Sequence, residues 1–193
     1  MPRVVDHQMR RDEIVAAAWQ AIALDGIDGA TMRRIAELAG CATGRLAHYF
    51  DSRNDILVAA LGKVHSKAST RMADIAVGID GMPALRAVLL ESLPLDDERR
   101  TEWRVWLAFW GVAVVNPDLR AEHERRYIEW RGLLLRLLRR ARPHLPARAA
   151  RGEVDLLVAL VDGLGIQGVL SPTRATVTRI VAGIDAHLAS LAV

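Results

Sequence analysis

Cysteine is almost missing from this chain of 193 residues, since Cys41 is the only one. A single cysteine excludes an internal disulfide and a cysteine-based zinc cluster within one chain, and it fits a small turn residue better than a redox sensor. The sequence also lacks a GxxxxGK phosphate loop, an HExxH pair and a nucleophile in a recognised motif. We therefore expect a protein that is not an enzyme and that holds neither a metal nor a cofactor.

Long apolar runs are lacking as well. The longest covers residues 106–115, about half of the ~20 residues that a helix needs to cross a bilayer. Charged residues interrupt residues 1–11, where a signal peptide would have its apolar core. We expect no membrane span, and the expected location is the cytoplasm.

The chain has no large excess of charge of either sign, because its net charge is only +3. Within residues 1–63, eight basic residues are matched by eight acidic ones, so a DNA-binding face there would have to come from the arrangement of charges. What the chain does have is apolar residues, which make up 51% of the total. They recur at helical spacing without a run of alternating β-branched residues, and this pattern predicts an all-α fold.

The first third of the chain has the spacing of a helix-turn-helix. Helix 1 is predicted over about residues 10–24, with a stop at Gly26. Thr31 is the expected cap of helix 2, which ends at Gly40. About three residues later a short helix 3 begins, with Leu46 on its inner side. Helix 4 then follows a capping-box start at residues 52–55, so three helices precede it.

The rest of the chain is predicted to form a helical bundle. Helices are expected over about residues 83–93, from residues 96–98 to Asn116, and from Pro117 to the basic cluster near Arg142. Residues 153–170 are apolar on nearly every face, and the last helix, which opens at Ser171-Pro172 or at Thr173, has one apolar stripe. A helix of this kind needs cover on several sides, so these two C-terminal helices predict a homodimer.

These observations divide the chain into two predicted domains. Residues 1–53 form the helix-turn-helix DNA-binding domain. Residues 54–193 form a helical ligand-binding and dimerisation domain, in which helix 4 (residues 54–77) is the connecting element.

Residues 30–57 carry a motif that resembles the TetR family of bacterial transcriptional regulators. The matching features are Thr31, the Arg-Ile-Ala of helix 2, and the Ser-Arg-Asn-Asp-Ile-Leu that opens helix 4. Thr43-Gly44 with His48-Tyr49-Phe50 is most similar to the BetI-like, choline-responsive branch. The chain departs from the family pattern at Ala42, where a capping serine is usual, and at Ala47, where tyrosine is frequent. We therefore expect helix 3 to start at Thr43.

The resemblance and the helical pattern together assign candidate DNA contacts. Burial of the inner side leaves the first turn of helix 3 free to enter a major groove, and the fork of Arg45 can bond two acceptors on guanine. The resemblance implies that Thr31, His48, Tyr49 and Arg53 hold phosphates. The alternative is that Arg45 is a solvated charge and Tyr49 a partly packed aromatic. The full set of candidate DNA-binding residues is Thr31, Arg33, Thr43, Gly44, Arg45, His48, Tyr49 and Arg53.

Aromatic residues cluster in the predicted bundle. A helical stripe is expected to run from Trp103 to Val114, and the next helix adds more aromatic rings. They could line a pocket for an apolar or cationic ligand, or they could simply fill a core. Asp162 could orient a ligand or form a hydrogen bond within the bundle, and Glu102 and His123 are weaker candidates. The candidate ligand-binding residues are Trp103, Trp106, Trp110, Tyr127, Trp130 and Asp162.

The expected function is that of a TetR-like repressor. It would bind an inverted-repeat DNA operator as a homodimer and leave it when a small-molecule effector binds. The BetI-like resemblance implies a quaternary or other alkyl amine as the effector. The alternatives are a ligand-responsive activator, an architectural DNA-binding protein and, as a different class, a helical-bundle enzyme.

Overall fold

The structure is a computed structural model that describes the backbone of residues 2–191 and the side chains of residues 7–191. Within these residues every regular element is a helix and no strand occurs, as the helical spacing predicts. The helices are α1 (Pro2–Gly29), α2 (Met32–Leu38), α3 (Thr43–Leu46), α4 (Arg53–Gly78), α5 (Gly81–Glu91), α6 (Asp97–Ala113), α7 (Pro117–Ala141), α8 (Ala147–Leu170) and α9 (Arg174–Ser190).

The first helix is longer than predicted and has a kink. It starts at Pro2 rather than near residue 10, and it continues past Gly26 to Gly29. Gly26 has φ 71° and ψ −179°, a left-handed conformation that glycine adopts at little cost. The predicted stop is therefore a break in the helix rather than its end.

The predicted helix-turn-helix is present between residues 31 and 50. Thr31 caps α2, because its Oγ1 accepts a hydrogen bond of 3.2 Å from the backbone N–H of Arg34. Gly40 turns the chain with φ 63°. The short α3 starts at Thr43, and its N-cap Ala42 offers no side-chain hydrogen bond. The cap at Thr31 and the start of α3 at Thr43 are confirmed, whereas α2 ends at Leu38, two residues before the predicted end at Gly40.

The chain divides into two compact units. The first unit consists of the residues up to Ser66 together with Arg104–His123, and the second consists of Lys67–Trp103 together with the residues from Glu124 onward. Helices α4, α6 and α7 each supply residues to both units. The two units are therefore interleaved along the chain, and the domain boundary after residue 53 stays a prediction.

In the first unit, buried apolar side chains of α1 to α4 meet in one core. Ala18, Ile35, Leu46 and Ile56 have no exposed surface. Val105 of α6 joins the same cluster. The core thus fixes the inner side of α3 and leaves its other side to solvent.

In the second unit, α9 packs against both α5 and α8. Leu85, Leu157 and Ile184 are fully buried there. The apolar helix that is predicted over residues 153–170 begins earlier, at Ala147. The last helix opens as expected, since Thr173 Oγ1 accepts a hydrogen bond of 3.1 Å from Thr176 N–H.

The sixth helix ends sooner than its aromatic stripe predicts. It stops at Ala113 rather than Asn116, and Val114 is 70% exposed. The prediction that Val114 continues the stripe is wrong, because the next helix begins at Pro117 and the chain must turn between the two. Among the described residues, no helix combines the length and the apolar character that crossing a bilayer requires.

Candidate DNA interface and effector site

The outer side of α3 is polar and open to solvent. Thr43, Gly44, Arg45 and His48 are exposed, whereas Leu46 is buried. No acidic side chain pairs with Arg45 within the part of the chain that the structure describes. A guanidinium that is exposed and unpaired keeps its donors available for an external acceptor.

Tyr49 follows directly and is half-buried. Its ring lies 4.7 Å from that of His7, centroid to centroid, with an interplanar angle of 38°. The guanidinium of Arg11 lies 4.6 Å from the centre of the Phe50 ring. The N-terminal part of α1 therefore supports the end of α3. Sequence reasoning missed these contacts, although His7 and Arg11 stand one helical turn apart and so share a face of α1.

Arg53 holds backbone carbonyls where α1 ends and α2 begins. Its Nε donates a hydrogen bond of 2.9 Å to the carbonyl of Ala30, and its Nη2 donates to that of Ile27. The helix end leaves such carbonyls without intrahelical partners, so the guanidinium satisfies them. A phosphate contact from Arg53 stays a prediction, and the observed contacts give this side chain a positioning role.

The two neighbouring arginines of α2 are both paired. Arg33 is exposed and donates from Nε to Glu37 Oε1 at 3.1 Å. Arg34 donates to Asp25 Oδ2 at 2.7 Å. The hydrogen bond and charge of Asp25 raise the pKa of the Arg34 guanidinium. Of the two, Arg33 keeps the more exposed side chain.

The predicted ligand-binding aromatics fall in both units. In the first unit, the rings of Trp106 and His65 stand edge to face with centroids 6.4 Å apart. Trp110 makes the same kind of contact with His123 at 6.3 Å. Both tryptophans are half-buried against the apolar cluster of Leu61 and its neighbours.

Trp103, in the second unit, has the features of a core residue. It is 7% exposed, and its Nε1 donates a hydrogen bond of 2.7 Å to the carbonyl of Ser92. Its ring occupies the space above Gly165, where an added Cβ would lie only 1.9 Å from Trp103 Cη2. This contact favours the core-filling alternative for Trp103.

Tyr127 and Asp162 form the polar centre of the second unit. The tyrosine hydroxyl donates a hydrogen bond of 2.9 Å to Asp162 Oδ1. Burial raises the pKa of Asp162 to about 6, and it also raises the pKa of Tyr127. The guanidinium of Arg131 lies 5.5 Å from the centre of the Tyr127 ring. Trp130 is half-buried in the same unit. The predicted hydrogen bond of Asp162 within the bundle is confirmed.

Glu102 belongs to a buried ion cluster rather than to an open polar site. It is 4% exposed, and its carboxylate accepts bonds of 2.9 and 2.7 Å from the two Nη atoms of Arg71. Arg71 also donates from Nε to Glu91 at 2.5 Å. Sequence reasoning missed Arg71. The available signal is its position seven residues after the buried Val64, which places it on the inner side of α4.

Comparison with known families matches both parts of the chain. The profile of bacterial regulatory proteins of the TetR family matches residues 14–60. The profile of the C-terminal domain of BetI-type transcriptional repressors matches residues 82–193.

Individual relatives agree with these profiles over nearly the whole length. The chain is 36% identical to the HTH-type transcriptional regulator PksA of Bacillus subtilis, covering 100% of this chain and 95% of that protein. It is 33% identical to the regulator BetI of Stenotrophomonas maltophilia, over 88% and 86% of the two chains.

Solved structures show the same fold. A transcriptional regulator from Rhodococcus sp. superposes with a TM-score of 0.84 at 27% identity, covering 93% of this chain and 94% of that one. A regulator from Saccharomonospora viridis in complex with choline has a TM-score of 0.84 at 26% identity, covering 93% and 95%. This chain belongs to the TetR family of DNA-binding, helix-turn-helix transcriptional regulators, and its C-terminal part is of the BetI type.

Proposed function

We propose that this regulator is a cytoplasmic repressor that binds an inverted-repeat operator as a homodimer and is released by a small cationic amine. The observation that carries the proposal is Arg45, which is exposed on the solvent side of α3 and pairs with no acidic side chain of the described residues. A side chain held there by the buried Leu46 can enter a major groove with its donors free.

Arg45 has the role of base reading in this proposal. Its planar fork matches the two acceptors of guanine, whereas the neighbouring residues have shorter or weaker donors. Contacts to phosphates set the position of the helix on the duplex and carry no sequence information directly. The proposed phosphate-binding and positioning residues are Thr31, Arg33, Thr43, Gly44, His48, Tyr49 and Arg53.

The homodimer in this proposal forms through α8 and α9. Helix α8 leaves apolar surface uncovered in the single chain, since its Leu156 is 58% and its Leu170 is 72% exposed. Ala159 and Gly163 of α8 are also exposed, and small residues let a second helix approach closely. Burying these side chains against the same surface of a second copy gives the two-fold symmetry that an inverted repeat requires.

The effector in this proposal binds beside the Tyr127–Asp162 pair. An ionised carboxylate and aromatic rings both attract an organic cation, and Trp103 and Trp130 belong to the same unit. The choline complex of the Saccharomonospora viridis regulator and the BetI names of several relatives support an amine. Trp106 and Trp110 stay ligand-binding predictions on sequence grounds. A typical coupling of ~1–3 kcal/mol would weaken operator binding roughly 5- to 150-fold.

Selection of bound duplexes from a random DNA pool tests the DNA part. We expect a motif with two-fold symmetry whose half-sites are about one turn, ~34–36 Å, or a multiple of it apart. Arg45→Ala should cost on the order of 1–3 kcal/mol on that site and relax the preference at one position in each half. As the control, Tyr49→Phe should weaken binding evenly across sequences. An unchanged motif for Arg45→Ala would contradict base reading by Arg45.

Titration with choline, betaine and longer alkylammonium ions tests the effector part. We expect quenching of tryptophan fluorescence together with release of the selected duplex, and Asp162→Asn should weaken both effects. Quenching without release of the duplex would contradict control of DNA binding by the ligand. No response to any of these compounds would contradict an amine effector.

A further inference from the structure

The positive charge of this protein is concentrated far from its helix-turn-helix in sequence. Residues 130–152 contain seven arginines and no acidic residue, whereas the rest of the chain has 19 basic and 23 acidic residues. This segment covers the end of α7, the connection to α8 and the first turns of α8. All of it belongs to the second unit.

Six of these arginines have no acidic partner among the described residues. Only Arg131 is paired, with Asp155 at 2.9 Å. Five of the six are exposed, and Arg142 is half-buried. We name the six together the arginine tip: Arg136, Arg139, Arg140, Arg142, Arg148 and Arg151.

The helix dipole accounts for the positions of only some arginines of the arginine tip. Arg139 and Arg140 lie in the last turn of α7, where the helix dipole favours cations. Arg148 and Arg151 lie at the start of α8, where the dipole favours acidic groups and none is present in the first turn. Arg142 Nη1 is buried without a hydrogen-bond partner among the described residues. The five exposed guanidinium groups keep their donors available to an external anion, whereas the buried Nη1 of Arg142 is out of its reach.

The character of the surrounding surface indicates which anion fits. No large apolar side chain is exposed between residues 131 and 151, and the nearest ones along the same two helices are Ile128 and Leu156. A protein partner or a membrane surface is normally anchored by buried apolar groups in addition to charge. A phosphate backbone needs no such anchor, and arginine forks bind phosphate oxygens in pairs.

We propose that the arginine tip is a second, sequence-independent nucleic-acid surface that binds the phosphate backbone of double-stranded DNA. It adds electrostatic affinity for any duplex, while the choice of sequence stays with α3. This inference requires only that the chain binds DNA. It is independent of the base-reading role proposed for Arg45 and of the effector.

The test is the salt dependence of binding to a non-operator duplex, measured with the full-length protein between about 50 and 200 mM salt. The variant Arg148→Gln/Arg151→Gln removes two charges from the arginine tip. The matched control Arg104→Gln/Arg174→Gln removes two exposed arginines that form no ion pair with the described residues. Thermal unfolding is the check that both variants fold like the parent protein.

We expect the slope of log K against log salt to become shallower by about 0.9 for each phosphate that the tip variant no longer neutralises, with little change in the control. The selected operator motif should stay the same in both variants. Equal changes in the two variants would show a bulk-charge effect and would overturn the proposal. A failure of the proposed operator reading would appear in the selected motif instead, so the two outcomes are distinguishable.

Protection of arginines from phenylglyoxal, mapped by mass spectrometry, identifies the partner directly. We expect the duplex to protect the peptides that contain the arginine tip. Protection by polyglutamate or by phosphatidylserine vesicles, with none by the duplex, would overturn the assignment to nucleic acid.

Discussion

Arg53 shows how a side chain from a distant helix can cap the C-terminal end of α1. At the kink and terminus of α1 the chain leaves carbonyls that no intrahelical N–H can reach. The Arg53 guanidinium bonds two of them, those of Ile27 and Ala30, from the start of α4. The observed contacts of Arg53 therefore act on the placement of α2.

Replacing Arg53 by alanine should lower the free energy of unfolding on the order of 2–3 kcal/mol, because it removes two charge-assisted hydrogen bonds. Urea unfolding measures the change. Arg45→Ala is the control, since removing an exposed, unpaired charge should change stability by less than about 0.5 kcal/mol. If Arg53→Ala weakened DNA binding with no loss of stability, the side chain would act on DNA alone.

Asp162 should make the stability of the protein depend on pH in a definite direction. Its folded pKa of about 6 lies above the usual value near ~3.9. The folded state therefore binds the extra proton, and the contribution of this group to stability falls as pH rises from about 4 to about 6. The fall should be about 3 kcal/mol. Asp162→Asn should remove it in urea unfolding at several pH values, whereas the exposed Asp155→Asn should not.

The exposed side of α3 is the part of the candidate site that could be predicted from residues alone. Helical spacing buries Leu46 and Phe50, so the residues between these two must face outward. The contact of His7 with Tyr49 and that of Arg71 with Glu102 could not be predicted in this way. Each joins residues far apart in sequence, and a local pattern has no information on which distant side chain will lie opposite.

At the scale of elements, capping chemistry predicted where helices begin better than apolar stripes predicted where they end. Thr31 and Thr173 both cap helices where expected. At the start of α4, Ser52 Oγ accepts from the backbone N–H of Asp55, as an N-cap does, and the Ser52 hydroxyl donates to Asp55 Oδ2. A cap is a local interaction between neighbours. The end of α6 depends instead on the turn toward α7, which the aromatic stripe does not encode.

The Arg71 cluster joins α4, α5 and α6 through buried charge. Arg71→Met should lower the free energy of unfolding by about 3–5 kcal/mol, because it leaves the Glu102 carboxylate buried without its partner. The double variant Arg71→Met/Glu102→Met should recover much of that loss in urea unfolding.

The matched control for Arg71 is Lys67→Met, one helical turn earlier on α4. Lys67 pairs with Glu98, and both side chains are largely exposed. An exposed pair of this kind contributes about 0–1 kcal/mol. Equal losses of unfolding free energy for Arg71→Met and Lys67→Met would contradict a stabilising role of the buried ion cluster.

At the scale of the whole molecule, the all-α class and the order of the helices could be predicted from the sequence. The two interleaved units could not. Helix α4 has its first half in one unit and its second half in the other. A single boundary along the sequence cannot describe units that share a helix, because tertiary packing decides which unit each half of the helix joins. The exposed apolar surface of α8 is another property of the whole molecule, and the proposed homodimer would cover it.

The dimer should therefore depend on that surface. Leu156→Arg places a charge at an exposed apolar position of α8, and we expect it to shift sedimentation equilibrium toward the monomer at micromolar concentration. Val77→Arg changes an 89% exposed valine of α4 and should leave the association intact. A monomeric parent protein, or equal association of both variants, would contradict dimerisation through α8.

The contact between Trp103 and Gly165 limits the order in which the two positions can evolve. While tryptophan occupies position 103, any side chain at position 165 would enter the ring. Once a smaller residue replaces Trp103, alanine or serine at position 165 becomes acceptable. We expect Trp103→Leu to rescue the stability of Gly165→Ala, and we expect homologues without glycine at position 165 to lack tryptophan at position 103. A mutational route that introduces a side chain at position 165 thus has a required first step, the replacement of Trp103.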